Sequence, residues 1–168
     1  MIYLITFACY GTHLHGDEPG SVDRDHNLPG SREVEPHAGR LSVVRHVMKQ
    51  PAYSLDEPRR NVVLSALVER CAERGWSLTA AHVRTNHVHV VIAGEVPPER
   101  IMNDLKSYAS RILNRAELDA PDRKRWARHG STRWLWDRKS VLAAITYVAD
   151  KQGEPMALFV AAEHHGIT

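Results

Sequence analysis

The run His87-Val88-His89-Val90-Val91-Ile92 decides the fold. A β-strand sends alternate side chains to opposite faces, so His87 and His89 project together while Val88, Val90 and Ile92 pack behind them. Just upstream, Trp76 to Arg84 reads as another strand, and Thr85-Asn86 makes a tight connection into the histidine run, which predicts an antiparallel pair. A turn at Gly94-Glu95-Val96-Pro97 closes the histidine strand. Two imidazoles side by side on a rigid strand can grip one metal ion, and the same alternation suits a solvated sheet face; the pattern alone leaves both open.

Working outward, Ile2 to Tyr10 is rich in β-branched and aromatic residues and stops at Gly11, which predicts a first strand. A helix is expected from near Pro58 to Gly75, where Val62, Val63, Leu67 and Cys71 recur at helical spacing. A second helix spans Pro98 to Arg115, with Ile101, Leu105, Tyr108 and Ile112 along one stripe. Ser140 is placed to cap a third, running to about Lys151 and ended by Gly153 and Pro155, and Met156 to Val160 suits a last strand. Between them, Ala116 to Lys139 is basic and carries Trp126, Trp134 and Trp136, without a readable period.

The segment from about 11 to 40 holds Gly, Pro, Asp and His with no sustained period, which predicts a long loop insertion; Leu41 to Gln50 suits a short helix ended by Pro51. His13, His15, His26 and His37 lie in this segment at irregular spacing, and no second metal site is drawn from them. The order strand, helix, strand, strand, helix, helix, strand argues for an α+β domain whose sheet is largely antiparallel, with helices on one or both faces. At 168 residues the chain suits a single domain, 1–168.

Charge is unevenly distributed. The net charge is only +2, yet Glu99 to Lys139 carries eleven Lys and Arg against six Asp and Glu, while Gly16 to Pro36 carries six acids against two arginines. A basic excess downstream of the histidine strand is compatible with nucleic-acid binding and also with an ordinary solvated face. Cys9 and Cys71 are the only cysteines and both sit among apolar residues, which argues against a disulfide framework and for a reducing compartment. The N-terminus lacks the positive region of a signal peptide, and no stretch approaches the ~20 apolar residues that span a bilayer, so a soluble, cytoplasmic protein without membrane contact is expected.

Two tyrosines follow the histidine strand on predicted helices. Tyr108 continues an apolar stripe and reads as core. Tyr147 lies well off the stripe Val141, Leu142, Ile145, Val148 and Ala149, on a face it shares with Ser140, Ala143, Ala144 and Lys151, where small neighbours leave room for a ligand. A half-exposed tyrosine without chemistry fits that position equally.

Asn86-His87-Val88-His89-Val90-Val91 resembles the histidine, hydrophobic, histidine signature of the HUH endonucleases, and Tyr147-Val148-Ala149-Asp150-Lys151-Gln152 resembles the nucleophile helix of their single-tyrosine transposases, of insertion-sequence or REP-associated type. Leu105 to Arg115 looks like the basic helix of this family, and Tyr10-Gly11-Thr12 with Gly16-Asp17 resembles the opening of one subgroup. The resemblance implies a ferredoxin-like (RRM-like) sheet of four to five strands. It implies an enzyme of DNA transposition that nicks single-stranded DNA, leaves a 5′-phosphotyrosine and a free 3′-hydroxyl, and transfers strands without ATP. Tyr147 is the implied nucleophile, with His87 and His89 as ligands of Mg²⁺ or Mn²⁺. Hairpin-forming DNA and a homodimer are the implied partners.

The chain departs from the family at one point. A third, often amide, ligand commonly follows the nucleophile by one helical turn; here that position is Lys151, which cannot coordinate while charged. Gln152 is the nearest amide, with Asp150 and His82 as other options, and Lys151 becomes a candidate for electrostatic support of the phenol. Lys106, Arg111, Arg115, Arg123, Lys124, Arg125 and Arg128 are expected to track phosphates, and Trp126, Trp134 and Trp136 to offer stacking surfaces for unpaired bases. Two other readings stand beside this one: a metal-dependent phosphoesterase using an activated water, and a DNA-binding relative without catalysis.

Overall fold

The computed structural model describes residues 1–12 and 48–162. The long loop insertion expected at 11–40 and the short helix expected at 41–50 therefore lie largely outside the described residues. The elements, in order, are β1 (Ile2–Cys9), α1 (Glu57–Arg74), β2 (Ser77–Val83), β3 (His87–Ala93), α2 (Pro98–Arg115), β4 (Trp126–Leu135), α3 (Arg138–Asp150) and β5 (Ala157–Val160). The five strands form one sheet in the order β4-β1-β3-β2-β5, and every neighbouring pair is antiparallel. The first six elements make the βαββαβ ferredoxin-like arrangement, extended by α3 and by β5 at the β2 edge.

Local signals explain most boundaries. Asp56 caps α1 by accepting the Arg59 N–H, Pro58 sits in the first turn, and Gly75 ends the helix in the left-handed region at φ 68°. The cap of α3 is Asp137 and not Ser140: its carboxylate accepts from both the backbone N–H and the hydroxyl of Ser140, so the helix begins two residues before that serine. The strand β4 fills the stretch that showed no period. It is an edge strand with Arg128, His129, Arg133 and Trp134 exposed, so no apolar alternation marks it. Gly130 is required there for space, because an added Cβ would lie 2.5 Å from both the Met102 sulfur and the Thr6 carbonyl oxygen.

The sheet is covered on both sides. Tyr3, Ile5, Phe7, Val88, Val90 and Ile92 form the main core with Leu67 of α1 and Leu105 of α2. Val91 and Ala80 face the other way and pack with Ala144, Ile145 and Val148 of α3. The central strand β3 is thus nearly continuously apolar apart from its histidines. Tyr108 is buried, with the guanidinium carbons of Arg70 and Arg111 4.9 and 5.5 Å from its ring centre, as a core tyrosine should be. Cys9 and Cys71 are free and buried, and burial pushes both thiols up to about 12. No described helix is long and apolar enough to cross a membrane.

A buried ionic knot ties the segment after α2 to α1. Asp119 accepts from the Tyr53 hydroxyl at 2.7 Å, from Arg59 at 3.0 and 3.1 Å, and from Arg125 at 3.2 Å. Burial works to raise the carboxyl pKa, but these hydrogen bonds together hold it below its ordinary value of 3.8. A depressed carboxyl pKa contributes stability that is present above the unfolded value and lost as pH falls through the folded one. Asp119→Asn should therefore lower stability by about 3–5 kcal/mol at pH 7, because buried Arg125 loses its counter-charge and Arg59 keeps only Asp56, and should flatten the decline in stability below about pH 4; urea unfolding at both pH values measures it.

Candidate active site

The histidine strand, the edge of β1 and the last turn of α3 meet on one side of the sheet. In the register of the sheet, Thr6 of β1 and His82 of β2 both stand opposite His89, and residues opposite one another share a face. The rings of His87 and His89 lie 4.7 Å apart, edge to face. The Tyr147 ring stands 5.4 Å from that of His89, and Tyr147 remains 43% exposed, so its phenol is open to a ligand arriving from solvent. Ala144, read from sequence on the same open face, is instead buried against the sheet.

Hydrogen bonds fix what each imidazole offers. His87 Nδ1 lies 2.7 Å from Asn86 Oδ1, an oxygen that only accepts; the proton is therefore on Nδ1 and Nε2 carries the lone pair. His89 Nδ1 lies 2.7 Å from the Thr6 hydroxyl oxygen, and its Nε2 is a buried side-chain nitrogen with no hydrogen-bond partner among the described residues. With Thr6 as acceptor, Nε2 presents a lone pair toward the site. Burial, reinforced by His87, pushes the His89 pKa down to about 3, so the ring is neutral at physiological pH, as a ligand must be.

The chain beyond Tyr147 bends back over this pair. The helix stops at Asp150, and both the Lys151 N–H and the Gln152 side-chain N–H donate to the Tyr147 carbonyl, at 3.3 and 3.1 Å. With its nitrogen so used, the Gln152 amide keeps its oxygen as an acceptor, and the side chain stands near enough to His89 to draw its pKa upward against burial. Lys151 and Asp150 are exposed. Among the described residues no group of three His, Cys, Asp or Glu is placed to hold a metal ion. The donor set is accordingly two imidazoles with an amide oxygen at hand, and the unpartnered His89 Nε2 fits a metal bound there.

His82 is not available as a ligand. It is fully buried, its Nδ1 donates to the Val148 carbonyl at 2.9 Å, and its Nε2 accepts from the Met156 N–H at 3.0 Å. Burial lowers its pKa, so it is a neutral clamp joining the last turn of α3 to the return into β5. Arg84 tethers the same return by donating to the Glu154 carbonyl. Thr6, Arg84 and the clamping role of His82 carried no sequence signal, because only strand register and the path after α3 bring them to the site.

The expected DNA contacts divide. Lys106 is 7% exposed and donates to the Ala127 and His129 carbonyls of β4 at 3.0 and 3.1 Å, and burial pushes its pKa down to about 8. Arg125 is buried in the Asp119 knot and also donates to Asn114 at 2.7 Å. Trp126 is half-buried, donates to the Lys106 carbonyl and the Ser110 hydroxyl, and meets Phe7 edge to face. These three hold β4 to α2 and offer no surface for DNA. Arg123 is half-buried and donates to Gln50, Pro51 and Lys124. Arg111, Arg115, Lys124 and Arg128 remain exposed. Arg111 and Arg115 ride on α2, across the sheet from the histidines.

A sheet strand bearing two histidines, faced by a tyrosine from a later helix, is the arrangement expected of an HUH-type single-tyrosine transposase. The comparisons agree: the family model described as "Transposase IS200 like" matches residues 44–143, and the chain belongs to that family. The matched range holds His87 and His89 and ends before Tyr147. A solved structure of a REP-associated tyrosine transposase bound to a REP hairpin has a similar fold, with TM-score 0.50 and 10% identity over 89% of this chain. This chain spans 65% of that neighbour's length. No curated protein matches.

Replacing His82 by Leu should leave the Val148 carbonyl and the Met156 N–H without partners. The expected cost is about 1–3 kcal/mol for each group. Amide exchange should quicken from 151 to 156 and stay slow in β1 and β3.

Proposed function

We propose that this transposase is a metal-dependent single-stranded DNA endonuclease and strand transferase that works through Tyr147. The observation that carries the reading is the 5.4 Å contact between the Tyr147 ring and His89, whose Nε2 is buried without a partner. His87 and His89, with Gln152, would hold Mg²⁺ or Mn²⁺, which when bound supplies Lewis-acid polarisation of a phosphate oxygen. Tyr147 Oη forms the new bond to phosphorus and gives up its proton, while the departing 3′ oxygen takes one and leaves as a hydroxyl. The product is a 5′-phosphotyrosine that a second 3′-hydroxyl can resolve. Lys151, exposed at the end of α3, would favour the phenolate electrostatically.

The neighbour's bound REP hairpin supports hairpin-forming DNA as the substrate class. Lys124 and Arg128, with Arg111 and Arg115 across the sheet, would supply salt-dependent phosphate contacts. Nucleophile and histidines meet within one chain, which supports a site completed in cis; the homodimer of the family would then serve DNA binding, in the cytoplasm where the substrate lies.

Incubated with a single-stranded hairpin oligonucleotide and Mn²⁺, the protein should give a covalent DNA adduct on a denaturing gel. Tyr147→Phe should abolish it, and His89→Ala should lower it at least about 100-fold. Cleavage that survives Tyr147→Phe without an adduct would establish the phosphoesterase reading. Binding without cleavage would establish the inactive one.

A further inference from the structure

Two tryptophans form an exposed ladder at the edge of the sheet. Trp134 meets the buried Tyr3 edge to face, with ring centres 4.9 Å apart, and Trp136 stacks on Trp134 at 5.1 Å with only 11° between the planes. Tyr3 is itself locked, since its hydroxyl donates to the Val96 carbonyl at 3.2 Å. The ladder thus runs from a fixed core ring outward and ends on Trp136, which is 76% exposed. One face of that indole is covered by its neighbour, and the other is left to solvent by a side chain that ordinarily gains from burial.

The surroundings indicate what would cover it. From Trp126 to Lys139, Arg128, Arg133, Arg138 and Lys139 are all exposed, and the one acid, Asp137, is spent capping α3. Two carboxylates bond other residues: Glu95 meets the N-terminal amine at 3.6 Å and Glu99 accepts from Thr132 at 2.9 Å, leaving four exposed cations to these two anions. A second copy of the chain would bring the same cations against these cations. A polyanion with flat apolar rings matches both the charge and the open indole face.

We infer that Trp136, held parallel on Trp134, is a stacking platform for one unpaired base of single-stranded DNA. The inference rests on the single-stranded DNA reading above and adds a binding site to it. Trp134 stands opposite Tyr3, on the face that packs α1 and α2, whereas the histidines lie on the α3 face. Two strand spacings and three residues separate the Trp134 backbone from the His89 rung, about 14 Å within the sheet plane by strand geometry. A strand occupying both sites therefore passes round the β4 edge.

The test is fluorescence anisotropy with the full chain and a labelled oligothymidylate of about 15 nucleotides, without metal, so that no cleavage is needed. Trp136→Ala should weaken binding about 5- to 100-fold. Trp136→Phe should restore most of it, and the salt slope should not change, since no charge is removed. Oligonucleotides with single abasic positions should include one that costs the wild-type protein a similar factor and costs Trp136→Ala nothing further. Trp136 is 76% exposed and stacks on Trp134, and an unchanged unfolding temperature checks that the variant is folded. Equal binding by Trp136→Ala and wild type, or no binding by either, overturns the platform. So does a Trp136→Ala defect accompanied by a shift from dimer to monomer in sedimentation, which assigns the ladder to a second copy. The covalent-adduct assay is read separately: a missing adduct with the Trp136 effect intact removes the cleavage reading and leaves the platform.

Discussion

Burying an imidazole costs free energy unless its nitrogens find partners, and the centre of this sheet is arranged around that constraint. Thr6 and His82 stand on either side of His89 in one rung across three strands. His82 has both nitrogens bonded and is structural. His89 has one nitrogen held by Thr6 and the other buried without a hydrogen-bond partner among the described residues, with the Gln152 side chain close by. In the proposed function, that nitrogen is the one that would ligate the metal. A fully satisfied neighbour fixes the elements around it.

The C-terminal end of α3 follows from the same rung. By ending at Asp150 and folding back, the chain turns the Gln152 amide onto the Tyr147 carbonyl and leaves Lys151 in solvent. The clamp from His82 to Val148 and Met156 holds both ends of this return.

Basic residues in this chain serve two physical ends. Lys106, Arg125 and much of Arg123 are drawn inward, where their donors satisfy carbonyls of β4, the Asp119 carboxylate and the loop before α1. Of these, Lys106 is anchored by the backbone of the edge strand β4, and the two arginines by the Asp119 knot and the loop before α1. Arg128, Arg133, Arg138 and Lys139 stay outside and give the β4 edge its positive field. Net charge in a segment does not distinguish the two kinds.

Strand and helix periods, the Asp56 and Gly75 caps, the alternating His87 and His89, and the position of Tyr147 off its apolar stripe were legible in the sequence, because each depends on neighbours within one or two turns. The α+β class and the α1, α2 and β3 boundaries followed from them. The edge strand β4 was not legible, since its partner β1 lies more than a hundred residues away and its solvent-facing side has no apolar pattern to keep. Which lysine is buried, which tryptophan is exposed, and that Thr6 holds His89 were decided by strand register and helix packing. Sequence determined which side chains could take part in chemistry, through their type and local period. Only the tertiary structure decided which of them meet, because antiparallel pairing and the return after α3 join residues whose separation along the chain carries no periodic trace.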